Sequence, residues 1–248
     1  MSKPALVVMI CFLVCACGGP RNGLEEIVQE YIEGWIEFYP TRAFGAGHLA
    51  SAFGFESVSQ FRIETWVRLN RRMLARLDGT VVEHSPDERS DRDLLRRQIL
   101  SELDTWEKDR VYETSPMSYA GRVSQALTHI LARDDLAPGE KLRAVEIRLG
   151  GIRTMSAQGM SQLKNGRPHS TGRSIPVLEA SARFLEDNLI RIAGEWTDDP
   201  PAEEFVGLCR STAGDVRALA GHIRDNILPN ASISLSQEAG CSPLLSAE

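Results

Sequence analysis

The run SPDERSDRDLLRRQILSELDTW, residues 85–106, announces a helix in its first four letters. Ser85 offers a capping oxygen, Pro86 has the fixed φ that suits the first helical position, and Glu88 stands where it can reach back to the cap. Leu95, Ile99, Leu103 and Trp106 then recur at intervals of four, four and three, so one face stays apolar through Trp106. This stretch is an amphipathic helix.

The same period governs the segments on either side. Leu24, Ile27, Val28, Tyr31, Ile32, Trp35 and Ile36 form one stripe, which Pro40 closes. Gly45, Gly47 and Gly54 make the next stretch a loop, and a second helix runs from about Ser57 to Leu77, burying Phe61, Leu69, Met73 and Leu77. After Trp106, a fourth helix follows Ser115-Pro116 with Val123, Leu127, Ile130 and Leu131 inward. A fifth opens at Pro138 and carries Leu142, Val145, Leu149, Ile152 and Leu163. A sixth, from about Ile175, buries Leu178, Leu185, Leu189 and Ile192. The seventh follows Pro200-Pro201, carries Phe205, Leu208, Leu219, Ile223 and Ile227, and ends at Pro229. No run alternates with β-branched enrichment. The expected fold is all-α, an array or bundle of about seven helices over residues 24–229. Residues 230–248 show neither period and read as a disordered tail.

The first residues are of another kind. Lys3 supplies a positive charge and Ala5–Val14 is an unbroken apolar run, the layout of an export signal and too short to span a bilayer, which takes about 20 residues. Three of the five cysteines, Cys11, Cys15 and Cys17, crowd its end. The spacers between them are Phe, Leu, Val and Ala, not the polar second shell of a zinc knot. Val14-Cys15-Ala16-Cys17 resembles a bacterial lipobox. That resemblance makes 1–16 a lipoprotein signal and Cys17 the lipidated residue; a plain cleaved signal or an uncleaved anchor are the other readings. Residues 17–23 form a flexible stalk, and Gly18 rather than Asp after the cysteine favours the outer membrane in a Gram-negative cell. Several acyl chains on one cysteine give a firm membrane tether.

The net charge of −6 and the dispersed basic residues leave no nucleic-acid footprint. Cys209 and Cys241 are read as free thiols rather than a bridge. Arg68, Arg71, Arg72 and Arg76 form a basic ridge, read as a solvated face before a lipid-facing one. Asp91, Asp93, Glu102 and Asp104 flank the third helix and are read as i,i+4 partners, such as Asp93 with Arg97, ahead of acid–base groups. Trp35, Trp66 and Trp106 are assigned to the core. Among His48, His84, His129, His169 and His222 no two are three or four apart, so no helix turn offers a metal pair. No catalytic, cofactor or metal residue is assigned, and no bound zinc is expected.

Taken in order, YIEGWIEFYPTRA (31–43), DRDLLRRQILSEL (91–103), WEKD (106–109), ALTHILARDDLAPGEKLRAVEIRL (126–149) and ALAGHIRDNILP (218–229) resemble the DUF885 family. These are bacterial, often exported or lipid-anchored proteins that look like zinc metallopeptidases. The resemblance implies a helical region over about 24–229. The family's His-Glu-x-x-Pro-Gly-His zinc helix lies beyond the part matched here, and this sequence contains no His-Glu pair. No catalytic residue carries over. The expectation is therefore a lipid-anchored, truncated relative that is not catalytic on its own. The alternatives are the non-catalytic half of a split peptidase and a periplasmic binding or scaffolding module. Apolar stripes left without partners would favour self-association or a protein partner.

Overall fold

The computed structural model describes residues 23–79, 86–196 and 201–231. The signal, Cys17, the stalk before Gly23, His84, Ser85 and the tail from 232 lie outside the described residues, and so does Cys241. Every long element is helical and no strand occurs among the described residues. The fold is all-α. The seven expected helices correspond to α1 (Gly23–Phe38), α3 (Gln60–Gly79), α4 (Pro86–Leu103), α6 (Pro116–Gln125), α8 (Pro138–Gln162), α9 (Pro168–Arg183) and α11 (Glu203–His222). Short segments join them: α2 (Pro40–Gly45), α5 (Val111–Thr114), α7 (Thr128–Leu131) and α10 (Leu189–Gly194). Three π turns, Asp104–Lys108, Phe184–Asn188 and Ile223–Ile227, extend α4, α9 and α11.

The described chain gathers into two compact units. The first holds the elements up to Arg110 together with His129–Arg133. Here α3 lies against α1 and α4. Gly34 permits the α1–α3 approach, because a Cβ there would stand 2.1 Å from Leu69 Cδ2. Arg62 pairs with Glu37, while Arg72 and Arg76 pair with Glu30. Late residues of α1 thus face early residues of α3, so the two helices run antiparallel. Arg68, Arg71 and Arg72 of the basic ridge are solvated as expected and Arg76 is half-buried; Arg71 reaches Glu107 and Arg68 donates to Thr65 Oγ1 at 3.1 Å.

In the second unit α11 lies against α8 and α9, and α6 against α9. Gly159 is buried where α8 meets its neighbours, and a Cβ on it would come within 2.8 Å of Leu219 Cδ1 and 3.1 Å of the Tyr119 ring. The leucine tip can turn away but the ring cannot. Gly159→Ala is therefore expected to cost about 1–3 kcal/mol despite alanine's better helix propensity. Chemical denaturation followed by circular dichroism checks this, and a stabilised variant would contradict it.

Five expectations change. Residues 40–53 are not open loop, although 54–59 are. Pro40 takes the first position of α2 and Leu49–Phe53 form a 3₁₀ turn, because a proline that ends one helix is also well placed to begin the next. Phe61 is 70% exposed, since α3 buries the face of Ile63, Trp66, Asn70, Met73 and Leu77, which lies on the other side. Helix α9 starts at Pro168 rather than near Ile175 and runs through Pro176. The fourth helix breaks after Gln125 and resumes at Thr128. Finally, helix continues past Pro229 to Ala231, which is buried. The proline ring conflicts with the carbonyl four residues back, here Asp225, and that carbonyl sits in a π turn rather than in α register.

Candidate functional site

The densest chemistry in the first unit is inward. Pro40 disfavours helical geometry at the residue before it, and Tyr39 leaves the helix at φ −121°, ψ 58°. Its phenol turns into the core and donates to Glu102 Oε2 at 2.6 Å. The Trp66 indole donates to the same oxygen at 2.9 Å. The π turn after α4 carries Trp106, whose Nε1 lies 3.1 Å from Glu102 Oε2 and 2.7 Å from the Tyr39 hydroxyl. Gln98 donates to the other carboxylate oxygen at 3.0 Å. Phe38 stacks on Trp66 at 4.9 Å and meets Trp106 edge-on at 5.1 Å. Tyr39, Trp66, Trp106 and Glu102 are buried, Glu102 at 7% exposure, and Gln98 is half-buried.

A carboxylate held by four donors behind a wall of rings has no face left for a substrate. It serves as a lock that fixes α1, α3 and α4 against one another. Burial, followed by the charge of Glu102, raises the Tyr39 phenol well above its ordinary pKa. The same two causes raise Tyr31, against a weaker opposing contact with Gln98. A second acid, Glu56, is also buried and accepts from Thr41 N at 3.1 Å and Thr41 Oγ1 at 2.7 Å, tying the loop after the 3₁₀ turn to α2.

The other acids named from the sequence are elsewhere. Asp91, Asp93 and Asp104 are exposed, and the ion pairs of the described residues do not include Asp93 with Arg97. Arg96 pairs with Asp78 instead, and Asp104 with Lys108 at 3.7 Å. Trp66 and Trp106 are core, whereas Trp35 is half-buried. Each of the four described histidines stays separate: His48 Nδ1 lies 2.8 Å from Ser51 Oγ, His129 rests against Gly45, His169 is exposed, and His222 Nδ1 is 3.3 Å from Asn226. No group of three or more His, Cys, Asp or Glu side chains among the described residues is placed to hold a metal.

Two cations that the sequence reading overlooked are buried in the second unit. Arg148 is wholly enclosed and donates to the Ala126 carbonyl at 2.5 Å, while Lys141 lies 5.6 Å from the centre of the Trp196 ring. An open groove of about 430 Å³ runs between α8 and α11, lined by Gly150, Arg153, Thr154, Ala157, Met160 and Asp215. Arg153 and Asp215 pair with each other at 2.7 Å, so the groove's own charges are already matched.

Cys209 is the buried thiol of α11, without a disulfide. Burial, and secondarily the charge of Glu146, push its pKa up to about 12. A thiol kept neutral and out of solvent is inert. In a chain whose other four cysteines are replaced by serine, Cys209 is expected to resist a thiol reagent at pH 8 and to react fully once denaturant is added. Rapid labelling of the folded chain would count against that packing.

No family model and no curated protein matches the chain. Among solved structures its fold resembles a candidate lipoprotein of unknown function from Shewanella oneidensis. The TM-score is 0.67 at 16% identity, over 90% of this chain and 40% of that one. This chain thus spans about two fifths of the length of that protein. At such identity the likeness concerns the fold alone.

Proposed function

We propose that this chain is a lipid-anchored helical protein of the bacterial cell envelope, acylated on Cys17, with a binding or scaffolding role and no catalysis of its own. The observation that carries the reading is Val14-Cys15-Ala16-Cys17, set directly after an apolar run that follows Lys3. No helix of the described residues is long and apolar enough to cross a membrane, so attachment in this reading rests on the acyl chains. The fold likeness to a candidate lipoprotein supports it. So does the chemistry of the first unit, whose densest polar cluster is consumed by internal hydrogen bonds. The ordered stretches from 31–43 to 218–229 suggest an evolutionary source in the helical region of the DUF885 family.

A second reading, the non-catalytic half of a split hydrolase, rests on the resemblance of the ordered stretches at 31–43, 91–103, 106–109, 126–149 and 218–229 to the DUF885 family. Under it, a gentle pull-down returns one stable partner with its own zinc motif.

The primary test is metabolic labelling. Wild-type chain and Cys17→Ala are expressed in a Gram-negative host with labelled palmitate, and the cells are fractionated. Wild type is expected to carry label and to sediment with membrane, with Gly18 directing it to the outer one; Cys17→Ala is expected to lose the label and become extractable. Unlabelled wild type in the soluble fraction would remove the anchor from the proposal.

A further inference from the structure

We draw no further inference here: the strongest candidate, the exposed heptad seam of small residues Gly207, Ser211, Gly214, Ala218 and Gly221 along α11 of the second unit, is an unpartnered helix face, and nothing in the structure shows what covers it.

Discussion

Replacing Glu102 with alanine is expected to cost the first unit about 3–5 kcal/mol, the range for breaking a buried charged network from one side. Three donors, the Tyr39 phenol and the indoles of Trp66 and Trp106, converge on one carboxylate oxygen, and Gln98 takes the other. Alanine removes both carboxylate oxygens together and leaves the Tyr39 phenol and the Trp66 indole buried without their acceptor, while Trp106 keeps only the Tyr39 hydroxyl. It also opens space where α4 meets α1 and α3. Glu102→Gln separates charge and space from hydrogen bonding. Its carbonyl can still accept from Tyr39 and the two indoles, and Gln98 can turn its own amide to offer an oxygen to the new NH₂. The expected loss for Gln is about 1–2 kcal/mol. Urea denaturation followed by tryptophan fluorescence reads this unit well, because Trp35, Trp66 and Trp106 lie in it and Trp196 does not. An alanine variant within 1 kcal/mol of wild type would show that the network is not the lock described. A glutamine variant as damaged as the alanine one would move the effect from hydrogen bonding to charge.

Glu102 also marks where the sequence stops being readable. Apolar letters at helical spacing were enough for the seven long helices and the all-α class. The stripe of α4, however, runs Leu95, Ile99, Glu102, Trp106, with Leu103 only half-buried beside it. A carboxylate is counted as polar and dropped from a stripe, even at the i+7 position where the geometry requires burial. Lys141 and Arg148 were missed on α8 for the same reason, although they continue the spacing of Val145, Ile152 and Met155. The usable signal was positional: a charged residue flanked at three and four by core residues needs partners, and Tyr39, Trp66 and Trp106 were the aromatic donors available. Phe61 shows the converse error, since its chemistry suggested burial while its angular position on α3 puts it outside. The π turns were beyond reach, because a one-residue expansion of a turn leaves no mark in an apolar pattern. Cys17 is legible in the sequence alone, as a motif rather than as geometry.

Alkaline pH is expected to unfold the protein well before its phenols titrate in place. Tyr31, Tyr39 and Tyr119 are buried and their pKa values are raised above the ordinary 10.0, chiefly by loss of solvation. Cys209 is raised from 9.0 to about 12 for the same first reason. All four are acids, so burial favours the protonated form. Below about pH 8 folded and unfolded chains hold nearly the same protons on these groups, and stability is independent of them. As pH rises past 9 for the thiol and 10 for the phenols, the unfolded chain releases protons that the folded chain keeps. Stability then falls, and keeps falling until the folded-state values are reached. By pH 11 each phenol is expected to have cost about 1.4 kcal/mol and the thiol about twice that. The loss divides between the two units, Tyr31 and Tyr39 in the first, Tyr119 and Cys209 in the second, giving each about 3–4 kcal/mol against a typical total of about 5–15. Helix signal at 222 nm and phenolate absorbance at 295 nm, recorded together from pH 8 to 12, test this directly. The buried phenols should ionise only as helix is lost, in one cooperative step per unit. Cys209→Ala should move the step of the second unit to higher pH while leaving that of the first in place. Full phenolate absorbance at pH 11 with the helix signal intact would mean that these side chains reach solvent in the folded protein.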